Sequence, residues 1–143
     1  MAHAIARLPR PFAGLSSLAI GADQLLASIV LDHDGTLEVV VPFPDYRSRF
    51  ADENDARRYD ALVSRASHVE VLPPHFSDEE SYLAAGKRVV DRCDEMFAVW
   101  TGEPAADVGG TGEIVHYARA VGRPLTVFDP ATRAVHLPTA AGA

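Results

Sequence analysis

Short, unbroken apolar runs alternate along this chain with longer stretches whose apolar residues recur at helical spacing. No other feature constrains the fold so tightly. A strand buried on both faces reads as a continuous apolar run, whereas a helix covering a sheet shows a stripe at every third or fourth residue. Leu37-Glu38-Val39-Val40-Val41 reads as a strand of this kind, ended by Pro42. His68 to Leu72 is a second, closed by Pro73-Pro74; Met96 to Trp100 is a third and Leu125 to Phe128 a fourth, with Phe12 to Ser16 as a weaker fifth. Prolines lack the N–H that a sheet ladder needs, so they mark where these strands stop.

Helices fill the intervals. Ala22 to Leu31 places Leu25, Leu26, Ile29 and Val30 on one face, and Asp34-Gly35 ends it. Asp55 to Ala66 carries Tyr59, Leu62 and Val63 at helical spacing. Ser77-Asp78-Glu79-Glu80 has the form of a capping box, opening a helix with Leu83, Val90 and Cys93 on its core stripe. Glu113 to Val121 buries Ile114, Val115 and Ala118 and stops at Gly122, with Pro124 just beyond. The order β-α-β-α predicts an α/β fold: a Rossmann-like, open, mainly parallel sheet of about five strands with helices on both faces. At 143 residues it fits one domain, with residues 1–10 as a short N-terminal remnant and residues 131–143 as a C-terminal tail.

Charge and cysteine content narrow the function classes. A formal net charge of −7 argues against a broad nucleic-acid-binding face, which needs surplus Lys and Arg. It leaves room for a small anionic ligand, because clustered backbone N–H groups can oppose the global field. The single cysteine, Cys93, allows no internal disulfide and no cysteine-based zinc site, and the six histidines show no metal-ligand spacing. No metal and no cofactor is expected. No apolar run approaches the roughly 18–20 residues that span a bilayer. Met1 to Arg10 lacks the apolar stretch of a secretory signal, so a cytoplasmic location is expected, away from membranes.

In an open parallel sheet, ligands bind beyond the carboxyl ends of the strands. Three loops there carry candidate residues. The sharpest runs from Thr101 through Asp107 to Gly109-Gly110-Thr111-Gly112-Glu113. Glycines let the backbone approach an anion closely, and the helix that follows presents unpaired N–H groups at its positive end. Thr111 can cap that helix or donate to a phosphate. Glu113, in its first turn, can complement the dipole, accept from a ribose hydroxyl, or attack an anomeric carbon. The same sequence also suits a plain, tight strand-to-helix connection. In the loop after the Phe12 strand, Ser17 and Gly21 can cradle a ligand and Asp23 can take a hydroxyl, or Asp23 is simply a favourable charge at a helix start. In Pro42-Phe43-Pro44-Asp45-Tyr46-Arg47, Tyr46 can stack on a base and Arg47 can pair with phosphate, or the segment is an amphipathic surface loop.

Together these loops resemble the SLOG superfamily, which joins the Smf/DprA DNA-processing proteins to the Lonely Guy cytokinin-activating hydrolases. Ser16 to Ala27 is similar to the Smf-type glycine-containing segment that opens a helix, and Val108-Gly109-Gly110-Thr111-Gly112-Glu113 is similar to the superfamily's second glycine motif. That motif follows the Met96 to Trp100 strand as expected, and Asp94 just before the strand also fits. The likeness covers Gly14 to Pro130. The chain departs from the Lonely Guy pattern where a catalytic glutamate would stand, since His116 occupies that position and Glu113 occupies the threonine position. Asp107 to Glu113 also resembles the nucleoside 2-deoxyribosyltransferase and nucleotide N-hydrolase pattern, in which an aspartate precedes the turn and a glutamate attacks the sugar.

Superfamily members begin with a further strand and turn, and Met1 to Arg10 is too short to supply them. An unfilled position beside the Phe12 strand is expected, whether the start lies inside a longer reading frame or part of the pocket is lost. An unfilled sheet position invites pairing with another chain, and a homodimer is expected. The resemblance implies a domain that binds a nucleotide, a nucleotide-derived ligand or a sugar phosphate, as a sensor or ligand-binding module. Gly109, Gly110, Thr111 and Gly112 would hold phosphate, Ser17, Gly21 and Asp23 would complete the pocket, and Glu113 would take the ribose. The enzyme alternative is N-glycosidic hydrolysis of a nucleoside 5'-monophosphate, with Glu113 at the sugar carbon, Asp107 or Asp23 orienting it, and Tyr46 or His116 helping the base to leave protonated. A non-catalytic assembly module is the second alternative.

Overall fold

The structure, a computed structural model, describes residues 1–103 and 110–138. The chain divides into two compact units, Met1–Pro74 and His75–Ala143. In the first, a short helix α1 (Ala2–Ala6) buries Ile5 and leads to strand β1 (Ala13–Ser16). Helix α2 (Ala22–Asp32), strand β2 (Thr36–Val41), helix α3 (Glu53–Ser64) and strand β3 (His68–Val71) follow in turn. All three strands are parallel, in the order β1-β2-β3. Two right-handed crossovers stepping the same way across a sheet put both helices on one face. Contact between α2 and α3 agrees with that placement.

Local chemistry sets these boundaries. Helix α2 ends in a Schellman motif: Asp34, at φ 62°, donates its N–H to the Leu31 carbonyl, and Gly35 donates to that of Val30. Asp52 caps α3 by accepting from the Asn54 amide at 2.7 Å. Gly14 is required by packing, since a Cβ there would stand 2.6 Å from a methyl of Val30 on α2. That contact places α2 over the β1 face bearing Gly14 and Ser16, whose register partners on β2 are Leu37 and Val39. Val39 and its neighbour Val40 are both completely buried, so β2 is covered on both faces there, as the run Val39-Val40-Val41 predicts. Each such side chain contributes about 1.5–3 kcal/mol of transfer free energy.

The second unit begins after Pro73-Pro74, with Phe76 fully exposed. Ser77 caps helix α4 (Asp78–Arg92) by accepting from the Glu80 amide at 3.2 Å. Strand β4 (Met96–Val99), helix α5 (Thr111–Ala120), strand β5 (Leu125–Phe128) and a two-residue strand β6 (Val135–His136) complete it. β4 and β5 are parallel, and β6 adds antiparallel to β5. Ala98, Val115, Leu125 and Val127 form one apolar cluster, with Met96 and Trp100 packed against it. Val90, Ile114 and Ala118 form a second, where α4 meets α5. Gly122, at φ 73°, ends α5 in another Schellman pair: its N–H donates to Arg119 and that of Arg123 to Ala118.

The expected single, mainly parallel sheet of about five strands is corrected by these pairings. The strands form two separate three-stranded sheets, one wholly parallel and one mixed. The apolar runs specify that strands form, but which edges pair depends on hydrogen-bonding partners that hydrophobic periodicity does not encode. The residues that take the second edge of β5 lie in the segment expected to be a tail. Ahead of β1 the chain forms the helix α1, and no described residue there belongs to a strand.

Candidate functional site

Each unit presents a loop at the carboxyl end of a parallel strand. In the first unit the loop from β1 to α2 is drawn tight by its own polar groups. The Ser16 hydroxyl accepts from the Leu18 amide at 3.0 Å and donates to the Asp23 carbonyl at 3.3 Å. Leu18 is fully buried with φ 57°, a left-handed conformation that a branched side chain adopts only when its surroundings impose it. The Asp23 carboxylate turns back and accepts from the Ala19 amide at 3.3 Å. Burial pushes the Asp23 carboxyl above its ordinary value, against the opposing pull of the Ala19 and Ser17 amides and the Ser16 hydroxyl. Gly21, at φ 95°, is the N-cap of α2 and offers no side-chain cap.

Two polar atoms of this loop are buried without a hydrogen-bond partner, the Ser17 hydroxyl and Gln24 Oε1. Gln24 is only 2% exposed, and its amide nitrogen donates to the Leu18 carbonyl at 3.1 Å. The Ala19 and Ser17 amides are turned to the Asp23 carboxylate, and an ionised carboxylate in the loop would repel a phosphate. Its chemistry therefore suits a neutral donor, such as a hydroxyl, better than an anion. Gln24 was not among the sequence candidates. The signal for it was its spacing of three from Ala27 and six from Val30, which puts a polar residue on the buried stripe.

The neighbouring strand β2 leads to Pro42 and a turn of 3-10 helix, Tyr46–Arg49. Tyr46 is 5% exposed and packs edge-on against Phe43, Phe50 and Tyr59, with ring centroids 5.9, 5.2 and 5.6 Å away. Its ring belongs to this apolar cluster. The Arg47 guanidinium lies between two acidic residues, with Nε 2.8 and 2.9 Å from the two oxygens of Asp60 and a terminal nitrogen 3.4 Å from Glu53. This pairing holds the Asp60 carboxyl below its ordinary value.

In the second unit the turn of interest precedes α5. Asp107 and Gly109 lie outside the described residues. Gly110 is the N-cap, with extended backbone and no side-chain cap. The Glu113 and Ile114 amides both donate to the Gly110 carbonyl, at 3.1 and 3.3 Å. The Thr111 and Gly112 amides precede the first residues able to find a helical acceptor. Thr111 is exposed, Gly112 is buried, and Glu113 is half-buried in the first turn. One turn further, the His116 ring meets Trp100 at a centroid distance of 6.3 Å, and the Arg119 guanidinium stacks over the same indole at 5.6 Å. The indole N–H donates to the Glu103 carbonyl at 2.7 Å. Among the described residues no group of three His, Cys, Asp or Glu side chains is placed to hold a metal ion.

The structure thus groups Ser17, Gly21 and Asp23 in one loop, Tyr46 and Arg47 on the 3-10 turn, and Gly110 to Glu113 at the start of α5. No model of a known protein family matches the chain, and no curated protein matches it. No described helix is long and apolar enough to cross a membrane.

Proposed function

We propose that the chain binds a nucleotide, or a ligand derived from one, through the Gly110-Thr111-Gly112 turn, and acts as a ligand-binding or sensing domain. The observation that carries this reading is the uncapped N-terminus of α5. A ten-residue helix starts there at a glycine that supplies no side-chain acceptor, on the connection that leaves the carboxyl end of a parallel strand. The first amides of such a helix and its dipole favour a phosphate. The exposed Thr111 hydroxyl adds a donor beside them. The likeness of Val108 to Glu113 to the SLOG glycine motif supports the same assignment.

A thermal-shift series with nucleoside mono-, di- and triphosphates and with ribose 5-phosphate tests it, with Gly110→Asp run in parallel. Aspartate is a good N-cap, so the variant stays folded while its carboxylate occupies the amides that a phosphate would use. A ligand at about 100 times its dissociation constant stabilises the native state by about 2.7 kcal/mol, well within detection. The expected result is a shift in the parent that Gly110→Asp abolishes. A shift of equal size in the variant, or none with any of these ligands, refutes the assignment.

A further inference from the structure

We infer that the loop from β1 to α2 is a second binding site, which takes an uncharged polyhydroxyl ligand, either a free sugar or the ribose of a nucleoside. The inference does not depend on the phosphate assignment at α5. Two side-chain atoms carry it: the Ser17 hydroxyl and Gln24 Oε1 are both buried with no hydrogen-bond partner. Such an atom costs free energy that a ligand supplying the missing bond recovers.

Gln24 is placed to aim its oxygen at the loop. It is the third residue of α2 after the Gly21 N-cap, and its side chain folds back over the first turn. There its amide nitrogen donates to the carbonyl of Leu18, the residue next to Ser17, at 3.1 Å. Oε1 belongs to the same planar amide, so it also stands over the helix start. Only 2% of the residue is exposed.

The surroundings select the ligand. An anion is disfavoured by the Asp23 carboxylate in the same loop. A cation is disfavoured by the positive end of the α2 dipole. Among neutral ligands, Gln24 Oε1 can only accept, whereas the Ser17 hydroxyl has both a proton and lone pairs to place. A ligand N–H would serve the two oxygens but leave the Ser17 proton unpaired. A hydroxyl donates and accepts, so a ligand carrying two of them satisfies both atoms.

Both atoms are closed off from solvent, so the ligand enters as the loop opens. Ala19, Ile20 and Gly21 are its exposed part. Leu18, at φ 57°, and Gly21, at φ 95°, stand at the two ends. A Cβ on Gly21 would meet nothing within 4 Å. Ala19 is held to α2 by its amide to the Asp23 carboxylate and its carbonyl to the Gln24 amide, each at 3.3 Å. Both bonds are long for N–H···O, which makes this a weak latch.

Saturation-transfer NMR titrations of the full chain with D-ribose, adenosine and 2',3'-dideoxyadenosine test the inference. None of these probes carries a phosphate, so the outcome is separate from that of the α5 assignment. The expected result is saturable binding of D-ribose or adenosine, with the dideoxynucleoside about tenfold weaker or more. Binding of D-ribose alone identifies a free sugar as the ligand, and binding of adenosine alone a nucleoside. Ser17→Ala should weaken binding by about two- to tenfold. Because the Ser17 hydroxyl makes no bond in the free protein, the melting temperature without ligand should stay level or rise. Gln24→Met should also weaken binding, and Gly110→Asp should bind as the parent does. No saturable binding of either probe, equal binding of the dideoxynucleoside, or a Ser17→Ala variant that binds like the parent would each overturn the proposal.

Discussion

Gly86 tests the closest helix contact in the second unit. It lies within α4, and a Cβ there would stand 2.8 Å from Ile114 Cγ1 on α5, with Cδ1 nearer still. Ile114 is 8% exposed and packs with Val90 and Ala118. Two effects oppose each other in Gly86→Ala. Alanine gains about 1 kcal/mol over glycine in a helix interior. Overpacking a filled contact costs about 1–3 kcal/mol. Isoleucine is held to one χ1 rotamer in a helix, so it yields little and the packing cost wins by about 1 kcal/mol. Ile114→Ala alone costs about 2–5 kcal/mol but removes the three atoms nearest to the new methyl group. In that background Gly86→Ala should stabilise by about 1 kcal/mol, a coupling of about 2 kcal/mol with reversed sign. Urea unfolding followed through Trp100, the only tryptophan and a member of the same unit, reads this directly. At about 1–3 kcal/mol per molar urea, the single variant should lower the midpoint by about 0.3–1 M. Equal destabilisation by Gly86→Ala in both backgrounds would show that contact with Ile114 is not the cause.

Two further expectations concern carboxylates. Burial raises the Asp23 pKa above 3.8, so its contribution is fully present below that pH and is lost as pH rises through the raised value. Asp23→Asn keeps the shape and should flatten that fall in a pH series of thermal melts; a slope like the parent's would remove Asp23 as its source. Asp60 behaves oppositely, because Arg47 lowers its pKa below 3.8 and its contribution is lost only as pH falls through the lowered value. Asp60→Asn should make the acid limb of the stability profile shallower while changing little at neutral pH, since the pair is exposed. A large loss at neutral pH would contradict that reading.

The elements were more legible in the sequence than their arrangement. Leu125 to Phe128 is a strand with the expected bounds, and Ile114, Val115 and Ala118 are buried on α5 as their spacing predicts. Glycine and proline punctuation located the helix ends because the residues at Asp34-Gly35 and Gly122 form Schellman motifs there. The buried face of α2 was misjudged. Leu25 is 54% exposed, whereas Gln24 is buried because its amide has a carbonyl partner in the preceding loop. A partner contributed by a loop conformation leaves no trace in a hydrophobic pattern. Strand β6 was missed for another reason: two residues carry no period, and their stability comes from the turn before them. There the Asp129 carboxylate accepts from the Ala131 and Thr132 amides at 2.8 and 3.2 Å. Among candidate site residues, Tyr46 is buried in an aromatic cluster with Phe43, Phe50 and Tyr59, a setting that its place in a proline-bounded loop does not reveal.

The full exposure of Phe76 has a consequence for handling the protein. It stands two residues past the end of the first unit, where a protease that selects aromatic side chains meets its ring in solvent. A cut on its carboxyl side falls before the Ser77 cap, so each of the two fragments would carry a whole sheet and all of its strands. The chain thus contains a place to be nicked, or to be expressed as two polypeptides, without dividing any hydrogen-bond ladder among the described strands.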